Sequence, residues 1–244
     1  MAPNDKQVAL VTGANKGIGL EIARQLGRAG VSVIVGARDG TRGEAAAAAL
    51  RGEGLDAGFV QLDVTDNASI EQAAAAIAAT HGRLDILVNN AGIGDPADGP
   101  PASASIEAAR RIFDTNFFGA LSVTQTMLPL LRQAPAARIV NMSSSLGSMS
   151  VNADAASPYY GVHLIGYNAS KAALNMLTVQ LGATLRDTGI VVNAACPGYV
   201  ATDLNGHSGP LSASEAAATP VRLALLRDSR TKGTFISAKG EVSW

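Results

Sequence analysis

Gln7-Val8-Ala9-Leu10-Val11-Thr12-Gly13-Ala14-Asn15-Lys16-Gly17-Ile18-Gly19 starts as a short apolar run and breaks at a glycine-rich turn. It then continues into a segment with helical periodicity through Ile18, Ile22 and Leu26, as far as Arg28. An apolar run of this length bounded by turn signals reads as a buried strand. Glycines after such a strand permit a tight turn, a close backbone approach to a pyrophosphate, and close packing of helix on sheet. The helix N-terminus then faces the phosphates. The spacing is Gly-x-x-x-Gly-x-Gly rather than the commoner dinucleotide fingerprint, and a glycine-rich turn is often only a turn. The strand-turn-helix setting makes nucleotide binding the stronger reading.

Outward from this unit the pattern repeats. Val31 to Val35 is nearly continuous apolar sequence, as expected of a strand covered on both faces. Helix is predicted over Thr41 to Arg51, Ala68 to Thr80 and Ile106 to Arg132, and from a capping box at Ser212-Ala213-Ser214-Glu215 through Arg227. Strands are predicted at Gly58 to Leu62, Asp85 to Val88, Arg138 to Asn141, Ile190 to Ala194 and Gly233 to Ser237. The alanine runs Ala45 to Ala49 and Ala73 to Ala76 resemble low complexity, but they sit inside helical patterns and alanine is the best helix former. Strand and helix alternating at this pitch imply right-handed βαβ units and a doubly wound α/β fold. The expectation is a Rossmann-type, mainly parallel sheet of seven strands flanked by helices, with residues 1–244 forming one domain.

The composition narrows the function classes. Of 244 residues, 47% are hydrophobic and 16% charged, and the net charge of −1 offers nothing to nucleic acid or an anionic membrane. No apolar run is long enough for a membrane span. The N-terminus has no signal-peptide apolar region, and the single Cys196 rules out an internal disulfide framework. A cytoplasmic protein is expected. No cluster of metal-ligating residues stands out, so no metal is expected.

Two further features carry chemistry. At the end of the second strand, where NAD-binding chains usually place a carboxylate for the ribose 2′-hydroxyl, this chain reads Gly36-Ala37-Arg38. Neutral Ala37, cationic Arg38 and Lys16 in the glycine turn favour a 2′-phosphate, although Arg38 alone would pass for a solvated loop charge. Tyr167 and Lys171 are four residues apart in Tyr167-Asn168-Ala169-Ser170-Lys171, so on a helix they share a face. A nearby ammonium favours the phenolate, which makes the pair a candidate proton donor and acceptor. On its own, Tyr-x-x-x-Lys also occurs on many solvated helices.

Taken together, Thr12-Gly13 through Gly17-Ile18-Gly19, Asn89-Asn90-Ala91-Gly92, the serines before Gly147, Tyr167-x-x-x-Lys171 and Pro197-Gly198 resemble the short-chain dehydrogenase/reductase family in order and spacing. Asn15-Lys16-Gly17, Ala37-Arg38-Asp39 and the ending Gly240-Glu241-Val242-Ser243-Trp244 are similar to its NADPH-dependent carbonyl reductase branch. The resemblance implies NADP(H) as cofactor and a small carbonyl or alcohol substrate. It implies Tyr167 as general acid, Ser144 (three residues before Gly147) as hydrogen-bond donor to the substrate oxygen, and Lys171 as binder of the nicotinamide ribose that depresses the tyrosine's pKa. Asn116 would hold helix geometry and a relay water, a role that comes from the resemblance alone. Gly13, Asn15, Lys16, Gly17, Ile18, Gly19 and Arg38 would hold the adenine-side phosphates, and Asp63 and Val64 the adenine. Asn90, Ala91 and Gly92 would line the cleft, with Pro197, Gly198, Val200 and Thr202 at the nicotinamide carboxamide.

Other expectations follow from the same residues. Successive strand residues alternate faces, so Ser143 and Ser145 should point away from the site. The 23 residues from Ser144 to Tyr167 include an insertion whose Tyr159 or Tyr160 would wall the substrate pocket, together with Gly94 to Pro101 and Asp203 to Pro210. His163 reads as structural. The helix after Ala172 carries two apolar stripes, one through Leu174, Leu177, Leu181 and Leu185 and one through Ala172, Met176, Val179 and Ala183. These favour a homodimer or homotetramer, whereas long-insertion members of the branch are monomers. Three other activities fit the fold: an alcohol dehydrogenase working oxidatively, an extended-branch sugar-nucleotide epimerase or dehydratase, and a silent dinucleotide-binding regulator. The chain lacks the second domain of the extended branch, and the full Asn/Ser/Tyr/Lys set argues against a silent protein.

Overall fold

The computed structural model describes residues 6–227 and 232–244. Residues 1–5, where no signal-peptide segment is expected, and residues 228–231 lie outside that description. The first unit forms as the sequence indicates: β1 (Val8–Thr12) leads through the glycine turn into α1 (Gly17–Arg28). There follow β2 (Ser32–Ala37), α2 (Gly40–Gly52), β3 (Ala57–Gln61), α3 (Asn67–His81) and β4 (Ile86–Asn89). After a loop come α4 (Ile106–Phe113), a π-helical turn (Asp114–Gly119), α5 (Ala120–Leu131) and β5 (Arg138–Met142). A 3₁₀ turn (Ser145–Gly147), α6 (Met149–Ala153), α7 (Ile165–Thr184), β6 (Val191–Ala195), α8 (Ala213–Ala224), β7 (Phe235–Ser237) and β8 (Gly240–Glu241) complete the order.

The strands form one sheet in the order β3-β2-β1-β4-β5-β6-β7-β8. The order reverses between β1 and β4, which opens a crevice at the carboxyl ends of those two strands. Alternation along each strand divides the core. Ala9 and Val11 pack with α1, α2 and α8, while Val8 and Leu10 pack with α3 and α5 on the other face. Both faces are therefore covered, which accounts for strands apolar at nearly every position.

Three differences from the sequence reading have physical reasons. The sheet has eight strands rather than seven, because Gly240 lets the chain turn back and pair Gly240–Glu241 antiparallel to β7. A two-residue strand is too short to show periodicity. The helix expected from Ile106 to Arg132 is interrupted by the π-helical turn at Asp114–Gly119, where a one-residue widening leaves the apolar repeat nearly intact. Within the insertion, Ser148 caps α6 by accepting the Val151 N–H at 3.1 Å, a short helix absent from the sequence reading.

Candidate active site

Every candidate position follows the carboxyl end of a strand or faces that end from a helix. The glycine turn leaves β1, Arg38 leaves β2, Asp63 follows β3, Asn90 leaves β4, Ser144 leaves β5 and Pro197 leaves β6. The turn is rigid because other residues brace it. Asn90 Nδ2 donates to the carbonyls of Thr12 (2.8 Å) and Gly13 (3.3 Å), and Thr12 Oγ1 accepts the N–H groups of Asn90 and Ala91, each at 3.0 Å. Gly19 must be glycine, since a Cβ there would lie 2.4 Å from Asn90 Nδ2 and 2.7 Å from the Gly13 carbonyl.

The turn also fits a phosphate group. No side chain caps α1, so its first N–H groups lack the usual partner. Gly17, with φ of 56°, would project a Cβ into space with nothing within 4 Å. Unpaired donors beside open space at a helix N-terminus suit a pyrophosphate. Arg38 is exposed, and among the described residues its side chain has no partner; only its carbonyl is used, by Gln61 Nε2 at 3.1 Å. Lys16 is placed differently from the sequence expectation. Its ammonium pairs with Asp203, which also holds His207 Nε2 at 2.8 Å, so it spans the crevice to the segment after β6 rather than standing free beside Arg38.

Two other cofactor candidates, Val64 and Val200, are buried. Val64 is buried against Gly119 of the π-helical turn, and the Asp63 carboxylate accepts from Thr65 N (2.9 Å) and Thr65 Oγ1 (2.7 Å). Val200 is buried, with its carbonyl taken by Asn205 Nδ2 at 2.8 Å, and the Thr202 N–H donates to Asn205 Oδ1 at 3.2 Å.

At the nicotinamide end, α7 carries Tyr167 and Lys171 on one face, with Nζ 5.6 Å from the ring centroid. Lys171 is 4% exposed and donates to the Met142 carbonyl at 2.8 Å. Gly147 seats the serine turn directly on this helix, since a Cβ there would fall 2.7 Å from Lys171 Cβ and from its backbone carbon. Ser144 therefore stands beside Tyr167. Asn116 is 1% exposed in the π-helical turn. It accepts from Ile93 N (2.8 Å) and donates to the Ile93 carbonyl (3.0 Å) and Ser170 Oγ (3.1 Å). Gly92 lies between the two groups: a Cβ there would stand 3.4 Å from Asn116 Oδ1 and 3.5 Å from Lys171 Nζ.

The electrostatics reverse one expectation. Burial pushes the Tyr167 phenol up to about 12, and negative charge on Cys196 adds to the rise, while the hydrogen bond with Ser144 opposes both. Burial likewise lowers Lys171 to about 8, against the pull of Cys196. The ammonium stands over the ring face and is itself desolvated, so here it does not depress the tyrosine.

Ser143 turns away as expected, donating to Asn175 Oδ1 at 2.6 Å. Ser145 does not: its Oγ lies 3.2 Å from Cys196 Sγ, because the chain leaves the strand for a 3₁₀ turn and alternation ends there. A small cavity of about 50 Å³ is lined by Ser144, Ser145, Leu146, Tyr159, Cys196 and Tyr199 among others. Of the two insertion tyrosines, Tyr159 faces the site and Tyr160 is half-exposed outside it. His163 is exposed. Tyr199 and Cys196 are not among the sequence-derived site candidates, although both flank Pro197-Gly198.

Comparison with known proteins agrees with this geometry. The family model described as short chain dehydrogenase matches residues 7–210. "Carbonyl reductase [NADPH] 1" of Homo sapiens is 37% identical over 276 residues, covering 97% of this chain and 98% of the relative. That alignment is longer than the chain's own 244 residues, so the relative carries segments that this chain lacks. "(-)-isopiperitenone reductase" of Mentha piperita is 34% identical over 302 residues, covering 94% and 96%. Among solved structures, NADPH-bound carbonyl reductase from chicken fatty liver superposes with a TM-score of 0.86 at 30% identity, covering 98% of this chain and 99% of that one.

Proposed function

The chain belongs to the short chain dehydrogenase family, and from that premise we propose that it is an NADPH-dependent carbonyl reductase acting on small ketones or aldehydes. The observation that carries this reading is the placement of Tyr167, part-buried on α7, with the Lys171 ammonium 5.6 Å from its ring centroid and the Ser144 hydroxyl beside its own. The cofactor, when bound, supplies the hydride to the carbonyl carbon. The chain's residues supply the rest. Ser144 and Tyr167 hold the substrate oxygen between two hydroxyls. Tyr167 gives that oxygen its proton as negative charge develops on it. Lys171 and Asn116, on either side of Gly92, hold the ribose and refill the tyrosine's proton.

A phenol raised to about 12 stays protonated throughout the physiological range. Reduction starts from the protonated form and alcohol oxidation from the phenolate. The glycine turn with its uncapped helix would hold the pyrophosphate, and unpartnered Arg38 the 2′-phosphate. The cavity beside Ser144, walled by Tyr159, Tyr199 and Leu146, suits a compact, partly apolar carbonyl compound. Among the described residues no helix is long and apolar enough to cross a membrane, and the one cysteine is a free, buried thiol, in keeping with a reducing, cytoplasmic setting. Met176 on the second stripe of α7 is 58% exposed and Phe118 in the π-helical turn 52% exposed, which supports association of two or more copies through these helices. A panel of diketones, aldehydes and cyclic ketones assayed by NADPH consumption tests the proposal. Turnover of none of them by the purified protein would reject it.

A further inference from the structure

Tyr167 is the third residue of α7, and the start of that helix is held in an unusual way. Leu164, at the N-cap, contributes no side-chain hydrogen bond. The first N–H groups of a helix have no partner within it and need one elsewhere. Here they find it in the loop after β4, more than sixty residues upstream. Ile165 N donates to the Gly99 carbonyl at 3.0 Å. Asp98 Oδ1 accepts from Gly166 N at 2.9 Å and from Gly99 N at 2.9 Å, and Asp98 Oδ2 accepts from Tyr167 N at 2.9 Å. A carboxylate at this end also suits the positive pole of the helix dipole. The seat is tight: a Cβ on Gly166 would lie 3.1 Å from Asp98 Oδ1 and 3.0 Å from Ala109 Cα.

The loop that supplies Asp98 is fixed in turn. Asp95 Oδ2 receives Arg111 Nη2 at 2.8 Å and Nε at 3.0 Å, which ties the loop to α4, the helix that runs into the turn bearing Asn116. Ser105 N donates to the Ala97 carbonyl at 3.1 Å. One loop, Gly94 to Ser105, thus bridges the helices of the two candidate relay residues.

We infer that Asp98 is a positioning residue: it fixes the main chain of Tyr167 and with it the direction of the phenol, so that the loop after β4 sets the aim of the proton donor. The inference rests on the reading of Tyr167 as that donor. Asparagine is nearly isosteric with aspartate, but its amide nitrogen cannot accept, so one of the three N–H groups loses its partner. Displacement of a reacting group by about 1 Å lowers rates by up to about a hundredfold, and a partial loosening should fall short of that.

The test is a cycle of Asp98→Asn, Tyr167→Phe and the double variant, assayed with NADPH and a reactive diketone after circular dichroism has shown native helix content. Asp98→Asn should lower kcat on the order of tenfold, with the dissociation constant for NADPH within about twofold of the parent. In the Tyr167→Phe background the same change should lower the residual rate by no more than about twofold, since there is no phenol proton left to aim. Unchanged kcat in Asp98→Asn alongside an inactive Tyr167→Phe would overturn the role of Asp98 and leave the proposed reaction standing. An equal loss in both backgrounds would reduce Asp98 to a structural cap and also overturn it. Full turnover by Tyr167→Phe would remove both readings.

Discussion

Replacing Arg38 by Ala should abolish a preference for NADPH over NADH, and the structure sets the size of the effect. The Arg38 side chain is exposed and has no partner among the described residues, so no internal ion pair must break before it meets a 2′-phosphate. A guanidinium can offer two parallel charge-assisted hydrogen bonds, each worth about 1.5–3 kcal/mol. Solvent exposure reduces that sum. About half of it corresponds to discrimination on the order of a hundredfold in kcat/KM, at about 1.4 kcal/mol per factor of ten. Lys16 should contribute less, only severalfold, because its ammonium has to leave Asp203 first. Initial rates with each cofactor at saturating diketone measure all of this. Arg38→Ala should lower kcat/KM for NADPH by roughly 30- to 100-fold on this estimate and leave NADH kinetics within about twofold. Ala37→Asp combined with Arg38→Ala should invert the preference, since a carboxylate would repel the phosphate and accept from a ribose hydroxyl. Equal kcat/KM for the two cofactors in the unmodified protein would refute the reasoning.

Lys171→Met should be inactive yet no less stable at pH 7. Burial lowers the folded-state lysine to about 8 from its ordinary 10.5, so the unfolded chain binds more protons in that window and stability rises with pH across it. The penalty is therefore complete below about 8. Calorimetric Tm values at pH 7 and pH 10 should show the variant's advantage shrinking with pH, and an advantage that grows would contradict the burial argument. Phe118→Glu with Met176→Glu should convert the assembly to monomers without loss of helix content, because both side chains are already exposed in the isolated chain. Light scattering at micromolar concentration decides this, and a monomeric parent protein would remove the association reading.

Much of this was legible because a doubly wound sheet converts sequence order into position. Once strand and helix alternate, the residue after each strand must arrive at the same end of the sheet, so Gly13, Arg38, Asn90, Ser144 and Pro197 could be grouped before any distance was known. What stayed hidden depends on relations between distant residues. The pairing of Lys16 with Asp203 joins side chains 187 positions apart, and nothing local to either announces it. Asp98 looked like one more polar residue in a Gly/Pro-rich loop. The direction of the Tyr167 shift was misread because spacing reveals a nearby charge but not burial, and burial dominates here. Ser145 was misplaced since strand alternation was extended one residue too far, into a turn. The π-helical turn around Asn116 was invisible for a related reason, since one residue of widening barely disturbs the apolar repeat.

The most direct test of the account is the turnover of Tyr167→Phe with NADPH and a reactive diketone, read beside its NADPH dissociation constant. The ring that packs on α7 is retained and only the hydroxyl is removed. The account predicts cofactor binding within about twofold of the parent and a kcat lowered at least 10²-fold, the scale of general acid catalysis. Retention of more than about a tenth of the parent kcat would contradict the assignment of Tyr167 as the proton donor.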